Sequence, residues 1–191
     1  MKKIINPIAF FNDKKLLVFN IIVFLVGTIT SVYMRGWFDH TFHLSFRTEI
    51  NFYKTIVENT FCSFLLTLFV FFAGKIINKK TRFLDALNLS FYARIPFYLM
   101  ALTNFNGQFS KLTAQMVSKN SITVNLPSTT SEYVFLIATS FFSLLVVIFQ
   151  IITLYKGFKT ISNAKKTTDY LLFIVFLIVS MFISTIILKN I

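Results

Sequence analysis

The sequence predicts an all-α fold: a polytopic bundle of five helices crossing a lipid bilayer, with the N-terminus cytoplasmic and the C-terminus outside. Three observations carry this. Of 191 residues, 55% are hydrophobic and only 14% charged, against about 25% charged in a soluble domain, and the mean hydropathy is +0.71. The apolar residues form long uncharged stretches with Lys and Arg gathered in short runs between them, as when a chain divides its residues between lipid and water. Those stretches are apolar on every face, as in Leu144 to Ile152 and Leu171 to Val179, whereas barrel strands alternate over about 10 positions. Helices close their own backbone hydrogen bonds and so can cross lipid one at a time.

At the N-terminus, Lys2 and Lys3 resemble the basic start of a signal peptide, but Asn6, Pro7, Asn12, Asp13, Lys14 and Lys15 interrupt any apolar continuation. No small-residue cleavage pattern follows the first apolar run, so it is expected to remain as a span. The spans run about Leu16 to Met34, Thr55 to Gly74, Ala86 to Phe105, Tyr133 to Tyr155 and Tyr170 to Leu188. Each approaches the roughly 20 residues that a hydrocarbon core about 30 Å thick requires. The third is the weakest because it contains Arg94 and Pro96, and the second carries Glu58 near one end. In the loop from Arg35 to Lys54, Phe42, Leu44 and Phe46 alternate with His43, Ser45 and Arg47. That pattern predicts a segment lying flat at the lipid interface, apolar side down. The loop from Asn106 to Glu132, with Gly107, Pro127 and many Ser, Thr and Asn residues, reads as solvated. Residues 1–191 are expected to form a single membrane domain.

Basic residues set the orientation. Lys2, Lys3, Lys14 and Lys15 precede the first span; Lys75, Lys79, Lys80 and Arg82 link the second to the third; Lys156, Lys159, Lys165 and Lys166 link the fourth to the fifth. With five spans all twelve fall on one side, against six on the other, and the positive-inside rule makes that side cytoplasmic. Without a crossing at the third segment the last cluster would fall outside and the bias would collapse. A formal charge of +12 is thereby explained by anionic lipid headgroups, and no soluble domain is left to bind nucleic acid.

Arg94 is the most informative residue. A guanidinium within a span is costly and normally faces the bundle interior or water, and Pro96 frees a carbonyl near Tyr92. Arg94, Tyr92, Pro96 and Glu58 are therefore the candidate intramembrane polar site. The alternative is that the third helix starts later and Arg94 snorkels to the cytoplasmic face. The predicted boundaries put Glu58 and Arg94 at different depths, which argues against a direct pair. Asp39, His40 and His43 offer metal-ligand types, but nothing supplies a convincing fourth ligand and they read as surface residues. Cys62, the only cysteine, reads as a small packed side chain. Polar residues such as Asn20, Thr28, Asn88, Ser140, Ser143, Gln150 and Ser180 read as helix-packing contacts. No nucleophile elbow, zinc-protease motif or phosphate-binding glycine loop is present, so no catalytic residue, metal or cofactor is expected.

The chain has a short start with Asn6-Pro7 and Phe10, a basic link after the second span, Phe91-Tyr92-Ala93-Arg94-Ile95-Pro96 opening the third, and Gly157, Phe158 and Ser162 to Lys166 just after the fourth. In this order of features it resembles the Yip1 family of small five-span membrane proteins, the last stretch resembling that family's last cytoplasmic loop. The resemblance implies the same N-inside, C-outside topology. The long cytoplasmic N-terminal region and D-L-Y-G-P motif of eukaryotic members are missing, so their link to small GTPases does not carry over. The expectation is a non-enzymatic protein of a bacterial cytoplasmic membrane that binds lipids, other membrane proteins or copies of itself. A small transporter or oligomeric channel using Arg94 is the second reading.

Overall fold

The computed structural model describes residues 2–47, 49, 51–116 and 129–190. Four of its helices are long and apolar enough to cross a membrane, and the chain is a multi-span helical membrane protein. A short helix α1 (Lys2–Ile5) and a 3₁₀ turn (Pro7–Ala9) lead into α2 (Asp13–Tyr33). A hairpin of β1 (Gly36–His40) and β2 (His43–Phe46) separates α2 from α3 (Phe52–Ile77). Then come α4 (Phe83–Ala93), α5 (Ile95–Ala101), a 3₁₀ stretch (Leu102–Gly107) and α6 (Gln108–Met116). The long helices α7 (Thr130–Ser162) and α8 (Thr167–Lys189) complete the bundle.

Local chemistry sets the helix ends. The Asn12 and Asn51 side chains accept hydrogen bonds from the backbone N–H groups of Lys14 and Lys54 at 3.0 and 3.2 Å. They satisfy donors left free at the first turns of α2 and α3. Thr129 and Glu132 form a capping box at the start of α7. Before α8, Asp169 accepts from the N–H groups of Lys165 and Lys166. Helix α7 ends at Asn163 in the left-handed region, φ 54°, where Asn is among the better-tolerated residues.

Four expectations need correction. The third segment is not one helix over Ala86 to Phe105: α4 stops at Ala93 and α5 starts at Ile95, with Arg94 at the break. Pro96 lacks the N–H that would bond the Tyr92 carbonyl, and the chain tightens into 3₁₀-type bonds, Arg94 N–H to Phe91 O and Phe97 N–H to Arg94 O. The fold is not purely helical, because the first loop forms an antiparallel hairpin. Nor does that hairpin lie flat on the membrane: Phe38, Thr41 and Leu44 are buried, and the hairpin packs against α3, α8, α2 and α5. The loop read as solvated also begins with helix α6, which buries Ser110 and Leu112; its remainder, with Pro127, lies outside the described residues.

Contacts along α2 define the register of the broken segment. Arg82 bonds Asp13, Asn20 bonds Asn88, Gly27 meets Tyr98 and Asn104 bonds the Met34 carbonyl. Residues 82–104 therefore run beside residues 13–34, parallel and over their whole length. A Cβ on Gly27 would collide with the Tyr98 ring, so glycine is what lets α5 approach α2. Antiparallel to these, α7 brings Gly157 against Leu89, and α8 stacks Phe173 on Phe158 at 3.8 Å. One apolar cluster fills the half around Leu66, Leu89, Leu154 and Phe158. A second, around Phe38, Leu44, Cys62, Phe97 and Leu188, fills the other half. Lipid is as apolar as these side chains, so close packing and hydrogen bonds hold such helices together rather than hydrophobic transfer.

Candidate functional site

Where the two clusters meet lies a polar centre built on Arg94. Its guanidinium is fully buried. Nη1 donates to the Thr41 carbonyl at 2.8 Å and Nη2 to Asn59 Oδ1 at 3.0 Å. The Asn59 amide nitrogen donates to the Thr28 hydroxyl at 2.7 Å and to the Tyr98 hydroxyl at 3.2 Å. Thr41 is the tip of the hairpin. Its N–H donates to Ser184 Oγ at 3.2 Å, its hydroxyl stands 3.5 Å from Ser180 Oγ, and its carbonyl also accepts from Gln150 Nε2 at 3.5 Å. Thus α2, α3, the α4–α5 break, α7, α8 and the hairpin all contribute to one node. Arg94, Gln150 and Ser180 each stand 11 to 13 residues from the Lys-rich end of their helices, about 16–20 Å at 1.5 Å per residue. That lies well inside the bundle. Non-helical backbone is tolerated at such depth only when protein buries it, and here Arg94 supplies the donor that the tip carbonyl requires.

The other residues predicted for this site are elsewhere. Glu58 is buried but meets Arg47, with Nη1 to Oε1 at 3.5 Å, and the described residues bring no carboxylate into ion-pair contact with Arg94. Tyr92 points to the opposite side of its helix, where its hydroxyl donates to the Ile4 carbonyl at 3.0 Å. Pro96 acts through the break alone. Thr41, Asn59 and Ser184 were not singled out in the sequence; the periodicity of apolar residues carries no sign of a loop threaded between helices.

Asp39, His40 and His43 do not behave as scattered surface residues. His43 Nδ1 stands 2.8 Å from both Asp39 carboxylate oxygens, and the two imidazoles stack at 5.3 Å. Burial acts to raise the Asp39 pKa, but the hydrogen bond and charge of His43 hold it below the usual value. The same bond raises His43 against the effect of burial, while burial lowers His40. His43 borders a cavity of about 380 Å³ between β2, α5, α6 and α7, whose walls include Thr103, Thr113, Ser140 and Ser143.

A further depression lies toward the opposite end. Two adjoining cavities of about 290 and 370 Å³ share Ile4 and Tyr92. The first is bordered by Lys3 and Lys15, and the second runs past Pro96 and Leu99 to Phe142 and Val146 on α7. Lys75, Lys79, Lys80, Arg82, Lys156, Lys159, Lys165 and Lys166 are all exposed. The contacts Arg82–Asp13, Thr81–Ile161 and Asn6–Thr160 gather their loops at this same end. No protein-family model matches the chain, and no curated protein or solved structure matches it.

Proposed function

We propose that this is a non-enzymatic, Yip1-like membrane protein of five spans, with its N-terminus and basic loops cytoplasmic, that binds anionic phospholipid. The register of residues 82–104 along α2 supports a fifth crossing, because a segment that keeps pace with a spanning helix over its length traverses the same thickness. The observation that carries lipid binding is a surface groove made of two adjoining cavities that share Ile4 and Tyr92, the first against α1 and α2 and the second between α5 and α7. Lys3 and Lys15 border the first, and both are lined almost wholly by apolar surface, from Phe19 and Ile4 to Val146. By the register along α2, the distance from Lys15 to the level of Leu99 is about 18 Å. That slightly exceeds half of the roughly 30 Å hydrocarbon core, the reach of an acyl chain in one leaflet. A headgroup phosphate at the lysines and a chain in the groove match this gradient from charge to hydrocarbon.

The transport reading asks Arg94 to face a water-connected cavity. Its two terminal nitrogens are instead engaged by Thr41 and Asn59 inside packed protein, a geometry that favours an organising role. Native mass spectrometry of the full chain, extracted from nanodiscs of mixed phosphatidylglycerol and phosphatidylcholine, tests the proposal. Preferential retention of phosphatidylglycerol that falls in Lys3→Gln/Lys15→Gln is the expected outcome. Lipid-free protein, or equal retention of both lipids, would overturn it, and a co-purifying membrane protein would shift the function to protein binding.

A further inference from the structure

We infer that Asp39, His40 and His43 form a binding site for a divalent transition-metal ion of the zinc class, open to the hydroxyl-lined cavity beside them. The hairpin creates this arrangement: His40 and His43 are cross-strand partners on either side of the Thr41–Phe42 turn, and Asp39 precedes them. One potential ligand atom from each of the three lies within 4.8 Å of the others. In a tetrahedral site with bonds of 2.0–2.1 Å, ligand atoms stand about 3.3 Å apart. Three atoms already form such a face. His43 Nδ1 and Asp39 Oδ2 are 2.8 Å apart, and Ser45 Oγ stands 3.2 Å from the first and 3.3 Å from the second. The Ser45 hydroxyl or a water from the cavity would take the position that two imidazoles and one carboxylate leave open.

Preorganisation comes from outside the cluster. The strands are paired to each other, and the tip between them is fixed by Arg94 and Ser184, so the ligands are carried on a held backbone rather than a free loop. The donor set selects the metal: two imidazole nitrogens and one carboxylate suit Zn²⁺, Co²⁺, Ni²⁺ or Cu²⁺, whereas Ca²⁺ and Mg²⁺ prefer shells of oxygen. Without metal, His43 Nδ1 and the Asp39 carboxylate are hydrogen-bonded at 2.8 Å, and His40 Nδ1 accepts from the Phe42 N–H at 3.1 Å, which leaves the proton of a neutral His40 on Nε2. Metal would replace protons at these positions, so its binding weakens as pH falls. The Arg94 guanidinium on the far side of Thr41 opposes a second cation, which makes the site weaker than a closed structural zinc site.

The site is independent of lipid binding, and its test is separate. The full chain, purified in nanodiscs on an affinity tag without histidine and stripped with chelator, is titrated with Zn²⁺ by calorimetry and with Co²⁺ by visible absorption. One saturable equivalent is expected, with the intense Co²⁺ bands of four-coordinate geometry. Asp39→Asn and His43→Gln should each weaken binding by about tenfold or more, and bound Zn²⁺ should raise the thermal midpoint. Absence of saturable binding to the wild-type chain refutes the site without recourse to any variant. Binding unchanged in Asp39→Asn/His43→Gln, with Trp37 emission as in the wild type, refutes the ligand assignment.

Discussion

Replacing Arg94 by Met keeps the length and apolar stem of the side chain but removes both donors to the hairpin and to Asn59. The Thr41 carbonyl then retains only Gln150, at 3.5 Å. A hydrogen bond to a charged group contributes about 1.5–3 kcal/mol in water-soluble proteins. Polar contacts measured within membranes are weaker, averaging about 0.6 with a maximum near 1.7 kcal/mol. The Arg94–Thr41 bond is short, charged and buried, so it belongs at the upper end, and its loss should weaken hairpin docking by about 1.5 kcal/mol, or somewhat over tenfold. Burying a guanidinium costs about 2.5–3.5 kcal/mol on insertion scales. That cost falls on the α4–α5 segment whether or not the hairpin is docked, and it largely cancels from the docking equilibrium. Trp37, the only tryptophan, lies on β1 under the Arg47 guanidinium at 3.4 Å, so its emission reports directly on the hairpin. Arg94→Met should shift that emission to the red. In a Cys62→Ser background, maleimide labelling of Thr41→Cys should accelerate by about tenfold, because labelling of a fully buried position follows the open population. Arg94→Lys, which keeps the charge but reaches only one of two acceptors, should fall between. Unchanged emission and labelling in Arg94→Met would refute the assignment of Arg94 as the hairpin's anchor.

The two close helix approaches should respond unequally to an added methyl group. Gly27→Ala forces its Cβ into the Tyr98 ring, whose hydroxyl is tied to Asn59, and should lower stability by about 1–3 kcal/mol. Gly157→Ala meets the flexible end of Leu89 and should cost less; thermal unfolding in detergent ranks the pair, and the reverse order would show that the α2–α5 contact can yield. Native Cys62 is fully buried and should resist maleimide until the chain is denatured. In the Cys62→Ser background, Lys79→Cys should react only with reagent supplied from the cytoplasmic face and Tyr53→Cys only from the other. Labelling of both from one face would overturn the proposed topology.

Much of the frame was legible in the sequence because its cause is local. Spans of about 20 apolar residues arise from the thickness of hydrocarbon, and the contacts at Arg82, Thr81 and Asn6 gather the basic runs at one end of the bundle, as their spacing implied. Pro96 marked the irregular point of the third segment, since the missing N–H is a property of one residue. The hairpin was not legible. Alternation of Phe42, Leu44 and Phe46 says that one face is apolar, and a strand on the interface or a strand among helices satisfies it equally. What decided between them is a set of distant partners: Asn59, 35 residues from Arg94, and Ser184, 143 residues from Thr41. Helix packing alone assembles those groups around the tip. The same folding brought Asp39, His40 and His43, whose ligand types the sequence showed but whose geometry it did not, into a cluster within 4.8 Å. Composition and periodicity record how each segment meets its solvent; which polar groups face one another inside the bundle follows from packing between segments, and tertiary structure alone fixes it.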